Sequence, residues 1–200
     1  MSGYKDIKRV INSFPKGSIF FPKELSVIAS SDTVRSSLER LCEENFIIRL
    51  GQGVYYYPET DDKWGMGILY PSLDKIAKAI AKRDHCEIAP TGSYALNVLG
   101  LSTQLPTNVV YYTNGSPRKV NIGNGRGILF KRSGEMKRFS FASETMSLIV
   151  TALREIGNGK VTETEKAKLA LVLKKVSPED YNHDLYLAPL WVQKLLTEIR

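Results

Sequence analysis

A Gly-Ser pair, Gly92-Ser93, lies near the start of the stretch PTGSYALNVLGLSTQLP, which spans residues 90–106. Many nucleotidyltransferases begin their active site with such a pair, at a turn between a strand and a helix. Their chemistry requires two or three carboxylates, usually on the following strand, to hold metal ions. Here no Asp or Glu occurs between Glu87 and Glu135, and the relevant strand has the sequence NVVYYTN. The sequence therefore predicts no metal-dependent phosphoryl transfer at Ser93.

The other candidates for catalysis are no stronger. The spaced glycines of IGNGRGI (residues 122–128) precede an apolar strand. A dinucleotide-binding fingerprint requires a helix there, so these glycines predict a hairpin turn. His85 and His183 lie in distant parts of the sequence, without an evident Ser or Cys nucleophile beside them, and no HExxH, Walker or zinc-finger spacing occurs. We expect no enzyme activity, no metal and no cofactor.

The composition is that of an ordinary globular protein of one or two domains. The chain has 200 residues, of which 42% are hydrophobic and 24% are charged. No apolar run reaches the ~18 residues of a membrane span, and the first residues, MSGYKDIKRVINSF, lack the apolar core of a signal peptide. Cys42 and Cys86 are expected to be buried free thiols, which favours the cytoplasm.

The net charge is +7, and the excess of positive charge is concentrated in the middle of the sequence. Residues 1–60 carry 8 basic and 7 acidic side chains, residues 61–143 carry 12 and 6, and residues 144–200 carry 8 and 8. A basic surface attracts phosphate, so nucleic acid is the first partner to consider. A modest positive charge also serves solubility, and the charge by itself leaves both explanations open.

Residues 1–60 are predicted to form an N-terminal domain that begins with two helices separated by a strand. Apolar residues recur at helical spacing from Tyr4 to Phe14, and Pro15-Lys16-Gly17 ends that helix. Residues 18–21 form a short strand-like run, and Pro22 to Ala29 is predicted to be the second short helix.

A third helix and a hairpin complete this domain. In SSDTVRSSLERLCEEN (residues 30–45), each of the first three residues can cap a helix N-terminus. The residues that share the face expected to pack inward are Val34, Leu38, Leu41 and Asn45. FIIRLGQGVYYYP (residues 46–58) predicts two strands around Gly51-Gln52-Gly53. This order of elements is that of a winged helix-turn-helix.

The outward face of the third helix and the adjoining hairpin carry side chains suited to DNA. In helix-turn-helix proteins, the N-terminal part of the second motif helix enters the major groove. Short hydroxyls there contact phosphates or base edges, and arginine contacts guanine or phosphate. The predicted DNA-binding residues are Ser31, Thr33, Arg35, Ser36 and Arg40 on the helix, with Arg49 and Gln52 in or beside the hairpin.

An alternative is that the winged helix is purely a protein-interaction module. The charge of residues 1–60 is only +1, and Glu39, Glu43 and Glu44 crowd the end of the third helix, where they repel phosphate. The sequence leaves DNA binding and protein binding open for this domain.

Residues 66–200 predict a second domain of mixed α/β character that ends in packed helices. In residues 66–142 we expect a helix capped by Ser72, a helix that Gly100 ends in the left-handed conformation, and strands joined by basic hairpins. Residues 143–200 are expected to be helical. The caps predicted there are Ser143, the capping box of Thr162 with Glu165, and Ser177. The predicted fold class is α+β.

The densest basic run of the chain lies in the predicted hairpins, where Glu135 is the one acid. Tyr111 and Tyr112 lie close by in sequence, and strand alternation places several cations on one face. The seven cations are Arg118, Lys119, Arg126, Lys131, Arg132, Lys137 and Arg138. They form either a solvated sheet face or a second surface that binds nucleic acid or an acidic partner protein.

Two segments together resemble a known family. A hairpin of the form G-x-Y-Y-x-P (Gly53 to Pro58) ends the predicted winged helix, and the segment Leu99 to Pro106, LGLSTQLP, follows the predicted helix with its Gly-Ser start. This combination resembles the AbiE-type antitoxins, the transcriptional regulators of type IV toxin–antitoxin and abortive-infection operons, and it is most similar to an uncharacterised bacterial branch of them. The resemblance covers nearly the whole chain.

The resemblance implies an N-terminal domain that binds operator repeats and represses its own operon, and a C-terminal domain with antitoxin activity. The cognate toxin of such proteins resembles a nucleotidyltransferase. We therefore expect a cytoplasmic bacterial regulator that binds double-stranded operator DNA. The alternatives are a module that masks a toxin partner without binding DNA, and an RNA-binding protein that uses residues 118–138. The oligomeric state stays open.

Overall fold

The computed structural model of the protein describes residues 2–61, 67–104, 108–123 and 125–200. In these ranges helices and short strands alternate along the chain, so the predicted α+β class is confirmed. The α-helices are α1 (Ser2–Asn12), α2 (Ser31–Glu43), α3 (Leu73–Arg83), α4 (Gly92–Val98), α5 (Glu144–Ile156), α6 (Glu163–Leu173), α7 (Pro178–Leu185) and α8 (Leu190–Ile199). None of the helices in the described ranges has the length and apolar character needed to cross a membrane.

The strands of the described residues form three small sheets. The strands are β1 (Ile19–Phe20), β2 (Ile48–Gly51), β3 (Val54–Tyr56), β4 (Glu59–Asp61), β5 (Gly67–Leu69), β6 (Ile88–Pro90), β7 (Asn108–Thr113), β8 (Arg118–Ile122) and β9 (Arg126–Arg132). The strand orders are β1-β3-β2, β4-β5 and β6-β7-β9-β8.

The chain divides into two compact units. The first comprises Met1–Ile80 and Val120–Gly127, and the second comprises Ala81–Lys119 and Ile128–Arg200. The domain bounds predicted from the sequence, 1–60 and 66–200, stay predictions.

In the first unit, α1 and α2 share one apolar core with the three-stranded sheet. The helical spacing predicted for α1 places Ile7 and Ile11 fully inside this core. From α2, Leu38 and Leu41 are fully buried in it, as their position on one helix face predicts, and Phe20 joins them from β1. Burial of several large apolar side chains is the main term that holds the two helices on the sheet.

The hairpin predicted around Gly51-Gln52-Gly53 is confirmed as β2 and β3, which pair antiparallel. Arg49 lies opposite Tyr55, and the register shifts before Gly51, so β2 contains an irregularity next to the turn. Gly53 has φ +65°, in the left-handed region that glycine adopts without a steric penalty. The turn therefore depends on glycine at this position.

Two details of the predicted first domain are wrong. The helix expected over Pro22 to Ala29 is one 3₁₀ turn, Pro22–Leu25, whose start is capped by the Glu24 side chain, which accepts a hydrogen bond from the Phe21 N–H (2.9 Å). Asn45 does not share the buried face of α2. The helix ends at Glu43, and Asn45 is exposed with φ +55°.

In the second unit, β6, β7, residues 128–132 of β9 and the last four helices supply the core. β6 pairs antiparallel with β7, with Ile88 opposite Thr113. α4 packs on α5, where Ala95 and Ala152 are both fully buried and allow close approach. The buried residues that α5 to α8 and their connections share are Met146, Ile149, Val150, Leu153, Leu169, Leu173, Val176, Tyr181, Ala188, Val192 and Leu196.

The helix caps predicted for residues 66–200 are confirmed within the described ranges. The hydroxyls of Ser72, Ser143 and Ser177 each accept a backbone N–H at the start of a helix, and Thr162 with Glu165 forms the capping box. Gly100 ends α4 with φ +66°. Leu105 and Pro106 of the LGLSTQLP segment, and Asn124 of the predicted glycine turn, lie outside the described residues.

Candidate nucleic-acid interface

A groove of about 510 Å³ in the first unit brings together four of the seven residues predicted to contact DNA. Ser31 and Arg35 come from the first turns of α2, and Arg49 and Gln52 come from the β2–β3 hairpin. The other lining residues are Pro22, Lys23, Ser26, Val34, Leu38, Glu39 and Tyr55. The groove thus lies between the 3₁₀ turn, α2 and the hairpin.

Helical spacing explains which edge of α2 enters the groove. Ser31, Arg35 and Glu39 follow one another at intervals of four residues, so they lie along one edge of the helix. The Arg35 Nε lies 3.3 Å from the Glu39 Oε1, and both side chains are largely exposed. Since this ion pair is exposed, it adds little to stability and breaks easily when a competing anion approaches.

The groove carries an excess of positive charge. Lys23, Arg35 and Arg49 oppose the one acid, Glu39. In the described part of the chain, neither the Lys23 ammonium nor the Arg49 guanidinium has an ion-pair partner. Two cations therefore remain available to an anion at this place, although the charge of residues 1–60 as a whole is nearly balanced.

Tyr55 of β3 lines the groove. The residue is 6% exposed, and its ring stacks on Phe20 with 5.9 Å between the centroids. Its hydroxyl makes no hydrogen bond to a described residue. Because none of the fully buried side-chain oxygens in the described ranges lacks a partner, this hydroxyl opens onto the groove that Tyr55 lines. Burial raises the pKa of Tyr55, so the hydroxyl stays protonated at neutral pH.

Sequence reasoning missed Lys23 and Tyr55 as residues of this site. Lys23 lies on the segment predicted to be the second helix, which precedes the third. Its closeness to the predicted DNA-binding helix was the signal that could have identified it. For Tyr55 the sequence held no such signal. Val54, Tyr55 and Tyr56 are all buried, so no alternation of apolar and polar residues separates a core face from a groove face.

Two other predicted contacts, Thr33 and Arg40, lie on the opposite edge of α2, toward α1. A Cβ placed on Gly3 of α1 would lie 2.7 Å from the Thr33 Cγ2, so the helices touch closely there. The Arg40 guanidinium lies 4.4 Å from the centre of the Tyr4 ring, and its Nε is 3.1 Å from the Glu44 Oε1. Both residues have partners within the protein.

Glu44, which follows α2, makes several of the polar contacts between α1 and α2. Its carboxylate accepts hydrogen bonds from Lys8 (2.8 Å) and from the Tyr4 hydroxyl (2.6 and 2.7 Å), in addition to the bond from Arg40. The hydrogen bond from Lys8, followed by the one from Tyr4, lowers the pKa of Glu44 to about 2. The carboxylate is therefore charged at neutral pH and joins α1 to the end of α2.

Ser36, the seventh predicted contact, is exposed between these two edges. Its hydroxyl donates to the Thr33 carbonyl oxygen at 3.2 Å, one turn earlier on α2. The side chain thus lies flat on the helix at the face farthest from the core. Cys42, also on α2, is a half-buried free thiol whose pKa is raised by burial.

The seven basic residues from Arg118 to Arg138 do not form one uniform surface. Arg126 belongs to the first unit and the other six belong to the second. Arg118 forms an ion pair with Asp84, and its guanidinium lies 5.6 Å from the centre of the Phe130 ring. This arginine is therefore held by an acid that precedes the basic run in sequence.

Arg138 is also held within the second unit. Its Nε lies 2.7 Å from the Glu135 Oε2, and its guanidinium lies 4.6 Å from the centre of the Tyr112 ring. The exposed cations of the run for which the described residues provide no ion pair are Lys119, Arg126, Lys131, Arg132 and Lys137.

The Gly92-Ser93 turn receives one carboxylate that sequence proximity does not indicate. A Cβ on Gly92 would collide with the Glu155 carboxylate, which comes from α5. A metal site for phosphoryl transfer requires two or three acids. Across the described ranges, no group of three or more His, Cys, Asp or Glu side chains is placed to hold a metal ion. His85 and His183 are exposed, and Cys86 is a half-buried free thiol.

The observations define a mixed α+β protein with a cationic groove between a helix and a hairpin. The chain belongs to DUF6088, a family of unknown function whose sequence profile matches residues 6–181. A search of the curated proteins gave no match. Among solved structures, the crystal structure of the RV2827C protein from Mycobacterium tuberculosis is similar at 10% identity and a TM-score of 0.46, covering 99% of this chain and 82% of that one. The resemblance to AbiE-type antitoxins stays a prediction.

Proposed function

We propose that this protein is a cytoplasmic, DNA-binding transcriptional regulator whose N-terminal part is a winged helix-turn-helix. The observation that carries the proposal is the groove in which Ser31 and Arg35 of α2 meet Arg49 and Gln52 of the hairpin. A helix and a β-hairpin that present donors to one space suit a duplex, because the helix enters a groove while the hairpin contacts the backbone. In this arrangement α2 specifies the bases and the hairpin positions the protein.

The test is fluorescence anisotropy of the full chain with duplex DNA from immediately upstream of its own gene, against a scrambled duplex and across salt concentrations. A sequence-specific regulator binds the upstream duplex more tightly than the scrambled one, and both affinities fall with salt. Equal affinity for the two duplexes would reduce the function to non-specific binding, and absence of binding at low salt would contradict DNA binding.

The particular operon role is that of an antitoxin-like autorepressor, and it rests on the resemblance to the AbiE-type antitoxins. In this role the protein represses its own operon and its second domain counteracts a toxin that resembles a nucleotidyltransferase. Co-expression with the neighbouring gene product tests the role. A toxic neighbour that the full chain neutralises supports it, and a neighbour without toxicity contradicts it.

A second candidate function is RNA binding through the basic residues between 118 and 138. Lys119, Lys131 and Lys137 support it, because they are exposed in the second unit with no acidic partner among the described residues. Preference for a structured RNA over duplex DNA, lost in the variant Lys131→Gln/Arg132→Gln, would establish this function. The same preference retained in that variant would exclude this surface.

A further inference from the structure

The polar side chains around the groove are, with the exception of Glu39, hydrogen-bond donors. Lys23, Arg35 and Arg49 are cationic, while Tyr55 and Gln52 bring a hydroxyl and an amide. The hydroxyl of Ser31 also lines the groove, and Glu39 is the one side chain there that accepts only. A space with this composition suits a ligand that is anionic and rich in acceptors, which is the chemistry of a phosphate group.

The depth of the groove supports a built site rather than a charged surface. The Tyr55 hydroxyl is a donor with no hydrogen-bond partner among the described residues, on a residue that is more than nine-tenths buried. Val34 and Leu38 of α2 form an apolar wall beside it. Because the hydroxyl opens onto the groove, an anionic acceptor oxygen of a ligand there can receive a charge-assisted hydrogen bond from it. The hydroxyl therefore marks the place where the acceptor oxygen of a ligand lies.

We propose that this groove is a phosphate-binding site, with the Tyr55 hydroxyl as its innermost donor and Arg49 and Lys23 as its counter-charges. The inference deepens the proposed DNA binding, and it rests on that function where the phosphate is one of the duplex backbone. A free phosphate-bearing small molecule has the same chemistry. At about 510 Å³ the groove is larger than a phosphate alone and has room for a sugar-phosphate unit.

The variant Tyr55→Phe tests the site, because it removes the hydroxyl and keeps the ring that stacks on Phe20. The matched control is Tyr57→Phe. Tyr57 is also buried, and its hydroxyl donates to the Asn12 Oδ1 (2.8 Å) outside the groove. Circular dichroism and the melting temperature of both full-length variants establish that they are folded. The wild type and both variants are then titrated at constant ionic strength. Anisotropy measures binding of the upstream and scrambled duplexes, and calorimetry measures binding of inorganic phosphate.

We expect Tyr55→Phe to lower the affinity for both duplexes about tenfold, because a hydrogen bond to a charged group is strong. The factor is the same for the two duplexes, because a phosphate contact carries no base information. Tyr57→Phe keeps the wild-type affinity. If Tyr55→Phe lowers the affinity for inorganic phosphate but not the affinity for either duplex, the site is supported and its phosphate comes from a free ligand.

Failure of the site and failure of DNA binding are distinguishable. If the wild type binds no duplex, the phosphate titration still decides, since loss of phosphate binding in Tyr55→Phe supports the site. If Tyr55→Phe and the wild type bind duplex and phosphate equally, or if Tyr57→Phe is weakened as much as Tyr55→Phe, the phosphate site is overturned while sequence-specific DNA binding can stand. Absence of phosphate and duplex binding in the wild type overturns both.

Discussion

Arg40 and Arg49 receive the same role from the sequence, yet their side chains have different surroundings. The Arg40 guanidinium lies on the Tyr4 ring and pairs with Glu44, so it helps to hold α1 on α2. The Arg49 guanidinium has no ion-pair partner among the described residues and lines the groove. At the residue scale, the two arginines are therefore expected to respond differently to substitution.

We expect Arg49→Gln to weaken DNA binding by about 1–3 kcal/mol with little change in melting temperature, since an exposed cation in contact with DNA is lost. Arg40→Ala is expected to lower the melting temperature and to change DNA affinity less than Arg49→Gln. Anisotropy and thermal unfolding of the two variants check this. The opposite ranking of affinities would transfer the DNA contact to the α1 side of α2.

The low pKa of Glu44 predicts a pH dependence of stability. Its pKa is lowered from 4.5 to about 2, so its charged form is favoured in the folded protein. That stabilisation is present above about pH 4.5 and is lost as the pH falls toward 2. The melting-temperature difference between wild type and Glu44→Gln is expected to be largest near neutral pH and to shrink in acid. For the control Glu43→Gln, we expect a smaller difference in melting temperature from wild type at neutral pH. If the difference between wild type and Glu44→Gln were the same at pH 7 and at pH 2.5, the role of Glu44 would be contradicted.

At the element scale, the start of α5 depends on a carboxylate from α7. Asp184 is fully buried and accepts hydrogen bonds from the backbone N–H groups of Ala142 and Ser143, both at 2.8 Å. The exposed His183 lies beside it, with its Nδ1 2.7 Å from the Asp184 Oδ1. Since the first N–H groups of a helix have no partner within the helix, α7 supplies what the chain just before α5 needs.

We expect Asp184→Ala to lower the free energy of unfolding by about 3 kcal/mol, because two N–H groups lose a buried, charged acceptor. The matched control is Asn182→Ala, two residues earlier on the same helix and exposed, and we expect it to change the free energy of unfolding by less than about 0.5 kcal/mol. Urea denaturation of the full-length variants measures both. A loss below about 1 kcal/mol for Asp184→Ala would mean that water replaces the carboxylate.

At the scale of the whole molecule, the distribution of charge and the proposed DNA site do not coincide. The first 60 residues are nearly neutral, whereas residues 61–143 carry an excess of six positive charges. The groove is nevertheless cationic, because Lys23 and Arg49 lie there without acidic partners among the described residues. Local placement, and not the charge of a sequence segment, decides which surface attracts phosphate.

The salt dependence of DNA affinity separates the two surfaces. If the groove contacts the duplex, Arg49→Gln reduces the slope of log K against log salt by about 1. We expect Lys131→Gln/Arg132→Gln to leave this slope unchanged for the upstream duplex. A reduction by about 2 in that double variant would instead place those two cations on the DNA.

Much of the fold follows from local rules that act within a few residues. The spacing of Ile7 and Ile11 predicts the buried face of α1, and the capping box of Thr162 with Glu165 predicts the start of α6. Gly100 predicts a left-handed end to α4, since glycine adopts that backbone without strain, and Gly51-Gln52-Gly53 predicts the turn of the hairpin. The class, the helix starts and the candidate helix of the interface were therefore predictable.

The partners of each side chain were decided by the tertiary structure. Sequence spacing placed Arg35 and Arg40 on the outward side of α2, and the packing of the hairpin against one edge and of α1 against the other gave the two arginines different partners. Tyr55 lines the groove although all three residues of β3 are buried, and the sequence VYYY has no alternation that would signal this. The amino-acid sequence by itself determined most of the elements, because helix and turn formation depend on neighbours along the chain. The tertiary structure alone decided the site, because its donors come from segments that are distant in sequence and meet only when the core forms.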